Sequence, residues 1–300
     1  MTDETVSFQH VPVMPQPVLT GLQATASPTT PRRYLDATVG GGGHSVLLLQ
    51  TSATLQLVAL DQDTTALEAA QARLSEYGDR VTFCHTNFSN FDPGTNRFDG
   101  ILADIGVSSA QLDTPERGFS FRKTAPLDMR MNPHQDLSAA AIVNHWDETE
   151  LANTIYIYGE ERLSRRIARQ IVEKRPFQTT TELAAAIADC VPKKYRYGRI
   201  HPATRTFQAL RIAVNAELEV LKTFLEKAPD WLVPGGRLVI ISFHSLEDRI
   251  VKWAFRQDER LQIITKKPLI ATAEEVAANP RARSAKLRVA ERIQPSSSRG

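Results

Sequence analysis

Five short apolar runs punctuate this chain: Tyr34-Leu-Asp36, Leu57-Val-Ala-Leu-Asp61, Val81-Thr-Phe-Cys84, Gly100-Ile-Leu-Ala-Asp104 and Arg237-Leu-Val-Ile-Ile-Ser242. Most are bounded by turn or acidic residues, and they read as strands buried on both faces. Helical periodicity separates the early ones. From Thr64 to Tyr77, for example, Ala66, Leu67, Ala70 and Leu74 fall on one side. Strand alternating with helix predicts an α/β fold, a parallel sheet with helices on both faces.

More than 130 residues separate the fourth run from the fifth, far more than a crossover needs, and they read as mostly helical. A helical insertion over residues 112–207 is therefore expected, with 1–111 and 208–300 forming the sheet domain. Within the insertion, Glu160 to Arg175 places Leu163, Ile167 and Ile171 on one helical face and Arg162, Arg165, Arg166 and Arg169 opposite. The return runs through Phe207, Leu210, Val214, Leu218, Leu221 and Leu225, one long amphipathic helix stopped near Pro229; Val233-Pro-Gly-Gly236 then turns into the fifth strand. Ser296 to Gly300 should fray.

The chemistry is concentrated at the ends of these strands. Asp36-Ala-Thr-Val-Gly-Gly-Gly-Gly-His-Ser45 leads from an apolar segment into four glycines, which let a backbone approach a nucleotide-like ligand. Asp61 closes the next run about 20 residues later, where a ribose hydroxyl would be held in a doubly wound sheet. The match to a dinucleotide fingerprint is partial, because its last glycine position falls on Ser45 or Val46. A loop without a ligand remains the plain alternative. Asp104 opens into Ile105-Gly-Val-Ser-Ser-Ala-Gln111, small residues that admit a flat substrate, and its carboxylate reads either as an acceptor for an exocyclic amine or as a helix cap. His244, in Ser242-Phe-His-Ser245, is either a catalytic or a packed, hydrogen-bonded histidine.

Composition narrows the classes. Ordinary apolar and charged content predicts a globular protein with a real core. Cys84 and Cys190 have no metal-ligand spacing, so neither a disulfide framework, a zinc site nor any other metal is expected, and a reducing cytoplasm is the natural setting. No signal-like start or membrane-length apolar run is visible. The net charge of +2 hides polarity: residues 1–110 carry a net −6, whereas residues 160–211 carry a net +7. Lys193, Lys194, Arg196 and Arg199 cluster within the second segment, and Arg281, Arg283, Lys286, Arg288, Arg292 and Arg299 make a basic tail. Such segments meet a polyanion or form solvated faces.

Longer strings settle on a family. His10-Val-Pro-Val-Met14, Asp36 to Ser45, Asp104 to Asp113, Arg117-Gly-Phe-Ser-Phe121, Pro126 to Met131, Tyr158-Gly-Glu-Glu-Arg162, His201 to Ile212, Ser242 to Arg249 and Asn279 to Arg288 stand in the order found in the MraW (RsmH) family. The chain resembles that family over about residues 10–293. The resemblance implies a Rossmann-like class I methyltransferase sheet with a helical substrate-recognition insertion. The implied activity is methylation of N4 of a cytidine in bacterial 16S ribosomal RNA of the small subunit, with S-adenosylmethionine as cofactor. Cofactor contacts then fall on Gly42, Gly43, His44, Asp61, Phe88, Asp104 and Gln111. Asp104 and His244 are the catalytic candidates, and the two cationic clusters of the insertion are the expected RNA contacts. Lys123-Thr-Ala125 departs from the family pattern, so Asp128 and Arg130 read either as functional or as a salt-bridged loop. Two rivals are a nicotinamide-dependent oxidoreductase and an RNA-binding protein with a vestigial site. Calorimetry with S-adenosylmethionine and NAD separates the first, and methyl incorporation into RNA the second.

Overall fold

The computed structural model describes residues 12–25, 31–198 and 200–294, which fall into two compact units divided after Gly106 and after Glu219. The divisions lie at 106/107 and 219/220 rather than at the expected 111/112 and 207/208. The first unit contains α1 (Pro15–Gly21), β1 (Arg33–Asp36), α2 (Gly43–Thr51), β2 (Gln56–Asp61), α3 (Thr64–Leu74), β3 (Val81–His85) and β4 (Phe98–Asp104). The helical unit holds α4 (Ser109–Asp113), α5 (Ala139–His145), α6 (Glu148–Gly159), α7 (Ser164–Lys174), α8 (Thr180–Cys190), α9 (Lys193–Arg196) and α10 (Ala203–Asn215). α11 (Glu217–Trp231) leads back to β5 (Leu232–Ser242), α12 (Ser245–Gln257), β6 (Leu261–Ile263), β7 (Leu269–Ile270), α13 (Ala273–Ala278) and β8 (Lys286–Arg292).

The sheet order is β3-β2-β1-β4-β5-β8-β6, with β7 also paired to β8. The five expected strands are parallel, and β8 adds an antiparallel strand beside β5. Their apolar runs are continuous because both faces are covered. Leu238 and Ile240 join Phe224, Leu225, Val251 and Phe255 on one side. Val239 and Ile241 join Leu48, Leu49 and Val289 on the other. Truncating a fully buried residue such as Leu238 to alanine would cost about 2 to 5 kcal/mol, because lost transfer energy and a cavity add.

The C-terminal cations from Arg281 to Arg292 are correspondingly not a free tail. Leu287, Arg288, Val289 and Ala290 are all buried, and the Arg288 guanidinium bonds Asp248 at 2.6 Å. The predicted fraying of Ser296 to Gly300, together with Arg299, lies outside the described residues.

Several helix limits also differ from expectation. α3 ends at Leu74 and a 3-10 turn runs from Ser75 to Arg80; its start is fixed by Asp63, whose side chain accepts the Thr65 N–H at 3.1 Å. The single long helix through residues 207–225 is two helices. The chain turns left-handed at Ala216, with φ of 46°, and Arg211 grips Glu217 through two contacts of 2.8 Å. Apolar periodicity survives this break, so the pattern alone did not reveal it. Pro229 does not stop α11, which continues to Trp231. Near its end, Arg292 donates to the Pro229 carbonyl, supplying a partner for one terminal acceptor of the helix, and Arg260 donates to the Glu226 carbonyl one turn earlier.

Candidate active site

The strand order carries the chain from β1 through β2 to β3 on one side and then back to β4 on the other side of β1. This is the switch point where ligands collect beyond the carboxyl ends of an open α/β sheet. The segment leaving β1 is stitched to both neighbours: Ala37 N–H donates to Leu102 O and Val39 N–H to Leu60 O, each at 2.8 Å. The glycines follow at once. Gly40 and Gly42 have φ of 51° and 76°, values that favour residues without a Cβ. No atom lies within 4 Å of a Cβ built on Gly40 or Gly41, whereas one on Gly42 would meet Leu74 at 3.4 Å. The loop thus has one open side and one side closed by α3.

Three strand-end carboxylates surround it. Asp61 accepts Gly40 N–H and Asp63 N–H, each at 2.9 Å, and burial outweighs those bonds to push its carboxyl up to about 6. Asp36 is almost fully buried. It takes the Ser45 hydroxyl at 2.7 Å and Thr38 N–H at 3.2 Å, yet burial still raises its pKa above the ordinary carboxylate value. Thr38 in turn accepts the backbone N–H of Asp104 at 2.7 Å. Asp36, Thr38 and Ser45 were not among the sequence-derived site residues. Their signal was present as a strand-end acid nine positions before a helix-opening serine.

Asp104 ends β4, and its Oδ2 lies 3.6 Å from His44 Nε2, beyond a normal hydrogen bond. Both ring nitrogens of buried His44 and Oδ1 of Asp104 lack hydrogen-bond partners. Buried polar atoms are ordinarily satisfied, so this pair marks a place where a ligand can supply the missing partners. Asp104 itself caps no helix; Ser108 caps α4. Phe88 follows β3 and packs edge-on against Phe224 at 4.9 Å between centroids. Its loop is tied down by Asn87 donating to Gln62 at 2.8 Å and by Lys227 donating to the Ser89 carbonyl at 2.7 Å. That gives the adenine-side candidate a fixed aromatic edge.

His244 takes a structural position at the start of α12. Its Nδ1 accepts the Glu247 N–H at 3.4 Å, and Glu247 accepts the backbone N–H groups of Phe243 and His244. This is a reciprocal capping box with histidine in the serine position.

In the helical unit, Gln111 is buried and exchanges capping bonds with Ser108. Asp128 and Arg130 form the salt-bridged alternative, with contacts of 3.0 and 2.8 Å, and that guanidinium holds the Asp128 carboxyl below its usual pKa despite burial.

The first cationic helix starts at Ser164, not Glu160. Arg162 therefore sits in the preceding turn, but Arg162, Arg165, Arg166 and Arg169 are all exposed over a buried Ile167, Ala168 and Ile171. Arg169 lies 3.6 Å from Glu148 and Arg196 3.6 Å from Asp189. Lys193 and Lys194 are exposed, whereas Arg199 lies outside the described residues.

The two clusters are joined by a contact that sequence spacing did not show. Tyr195, between Lys194 and Arg196, donates its hydroxyl to the fully buried Glu161, next to Arg162. Burial and that bond push the Tyr195 hydroxyl up to about 12. Exposed Tyr197 adds an aromatic ring beside the same cations.

A switch-point glycine loop with strand-end carboxylates and a separate helical unit inserted after β4 defines an α/β enzyme of the class that binds nucleotide-like cofactors. Within that class the chain belongs to the MraW methylase family, whose model matches residues 7–293. It is similar to the ribosomal RNA small subunit methyltransferase H of Synechococcus elongatus, 63% identical over 291 residues covering 97% of each chain. The protein of that name from a Nostoc strain is 62% identical over 292 residues, covering 97% of this chain and 95% of the relative. Among solved structures, an rRNA methylase from Streptococcus thermophilus aligns with a TM-score of 0.45 at 13% identity, over 94% of this chain and all (100%) of the other.

Proposed function

We propose that this protein methylates the N4 amine of a cytidine in the 16S ribosomal RNA of the small subunit, in the cytoplasm. The methyl donor is S-adenosylmethionine, which supplies an already activated methyl group on a sulfonium. The glycine loop offers the open backbone side that such a ligand needs, Asp61 a carboxylate for ribose hydroxyls, and Phe88 an aromatic edge. Gly42, Gly43, His44, Asp104 and Gln111 complete the proposed cofactor contacts.

The observation that carries the reading is the unpartnered pair of His44 and Asp104 Oδ1 at the switch point. An exocyclic cytosine amine is a poor nucleophile because its lone pair is delocalised into the ring. Asp104 would accept an N–H bond from that amine and favour the pyramidal nitrogen that takes the methyl group, the sulfur keeping the electron pair of its broken bond and the nitrogen giving up one proton to water. The remaining work is placement of the nitrogen in line with the methyl group. The base must be unstacked to reach a strand-end crevice, which suits single-stranded RNA. In this reading the cations of the helical unit, from Arg162 to Arg169 and from Lys193 to Arg199, bind phosphates and position the RNA without selecting sequence.

The decisive experiment locates radiolabelled methyl after incubation of the protein with S-adenosylmethionine and small-subunit RNA. Label on cytidine N4 is expected. Label elsewhere overturns the amine assignment, and absence of label from a protein that binds RNA supports the vestigial alternative.

A further inference from the structure

The outer face of α12 carries a cationic and aromatic surface that the glycine-loop site does not use. Val251 and Phe255 bury the inner face of the helix. On the outer side Trp253 is 48% exposed, and Lys252 Nζ and Arg256 Cζ lie 5.6 and 5.7 Å from its ring centroid. Lys252, Arg256, Lys266 and Arg288 line one cavity of about 220 Å³, with Phe255 and Ile263 contributing apolar surface.

Charge decides what suits this surface. Asp248, one turn before Lys252, is already committed to Arg288 at 2.6 Å and Lys286 at 3.3 Å, and Asp258, two residues after Arg256, to Arg260 at 2.6 Å. Among the described residues, no carboxylate forms a salt bridge with Lys252, Arg256 or Lys266, and Lys267 adds a further exposed cation. Unscreened like charges repel, and an exposed indole leaves apolar area in water. A single-stranded polyanion with flat bases relieves both, through phosphate contacts and stacking. The surface is also continuous with the site edge, because α12 begins directly after β5 and Lys286 pairs with Ser242 at the carboxyl end of that strand. The eight helical steps from Ser245 to Trp253 cover about 12 Å.

We infer that Trp253 with Lys252, Arg256 and Lys266 forms a second binding surface for single-stranded RNA on the sheet unit, separate from the cations of the helical unit. It rests on the ribosomal RNA reading for its natural ligand, while its chemistry requires only a single-stranded RNA.

The test uses the full chain and a small-subunit RNA fragment across a salt series. Trp253→Ala should weaken binding about tenfold, as loss of one base–aromatic stack does, and Trp253→Phe should restore most of it. Replacing Lys252, Arg256 and Lys266 together by glutamine should flatten the log-log salt dependence by about 0.7 for each lost phosphate contact. RNA should quench indole emission in the unsubstituted protein, and this quench should be lost in Trp253→Phe. S-adenosylmethionine affinity should stay the same in every variant. An unchanged salt slope, or Trp253 emission indifferent to RNA, overturns the inference. Methyl incorporation by the unsubstituted protein is read in parallel: its absence overturns the methylation reading, whereas incorporation with variants indistinguishable in RNA binding overturns this surface alone.

Discussion

The glycine-loop site and the arginine face of the helical unit hold their polar groups in opposite ways. Around the loop, Asp36 and Asp61 are each bonded twice from within the fold. On the helical unit, Arg162, Arg165 and Arg166 stand in solvent. A buried polar group left unmatched costs about 1 to 3 kcal/mol, so the fold matches every group it can. Arg196 Nε, Thr206 Oγ1 and His244 Nε2 are also left without a hydrogen bond, but His44 and Asp104 are the two that face each other beside the glycine loop, and there the unmatched atoms carry information. An exposed charge is matched by water, and nothing in the fold distinguishes a functional one; only its response to salt does.

Asp104→Ala offers the largest expected contrast. If its carboxylate acts mainly on the developing transition state, turnover should fall by about 10² to 10³, with RNA affinity unchanged. Single-turnover methyl transfer alongside RNA titration checks this. Intact turnover with weakened cofactor binding would make Asp104 a binding residue only.

Next comes Asp61. Asp61→Ala should weaken S-adenosylmethionine binding by about 1 to 3 kcal/mol, as loss of a charged acceptor does. Its pH signature is distinctive because burial has raised the pKa in the folded state to about 6. The folded protein then binds the proton more tightly than the unfolded chain, so this group's contribution to stability is most favourable below the unfolded pKa and is lost as pH rises through about 6. Cofactor affinity should move oppositely, falling as pH drops through that value and the acceptor is protonated. Calorimetry across this range should show the dependence in the natural protein and not in Asp61→Asn.

Neutralising the arginine face should have a smaller effect per residue. Glutamine at Arg162, Arg165, Arg166 and Arg169 should flatten the salt dependence of RNA binding by about 0.7 for each lost contact. Arg169 should contribute least because Glu148 already lies 3.6 Å away. Equal slopes for wild type and variant would reduce this face to solvated charge.

The smallest effect separates the two roles of His244. Loss of a helix cap costs about 0.5 to 2 kcal/mol of stability, so His244→Ala should lower the unfolding midpoint and His244→Asn should recover part of it, both with turnover intact. A loss of turnover in His244→Asn at full stability would return this histidine to the catalytic set.

Much of the frame was legible because local rules governed it. Strands covered on both faces must be apolar throughout, so five of them stood out. The late strands did not: β6 and β7 are three and two residues long, and β8 carries charges at Lys286, Arg288 and Arg292 that read as a basic tail. Their partners, Asp248 and Asp230, come from distant segments. In the same way, the helix break at Ala216 left the apolar period intact on both sides and so gave no warning.

By itself the sequence determined the alternation of strand and helix, the long helical insertion, the glycine loop with its strand-end acids, and the membership of a methylase family. All but the last are short-range patterns, set by side-chain period and backbone freedom; the family rests on long residue strings standing in the same order. Tertiary structure alone decided which polar groups are satisfied. It bonded Asp36 to Ser45, turned His244 into a helix cap, buried Arg288 against Asp248 and tied Glu161 to Tyr195, while leaving His44 and Asp104 facing each other at 3.6 Å. Hydrogen bonds act over about 3 Å, and only the folded chain brings residues so far apart in sequence within that reach.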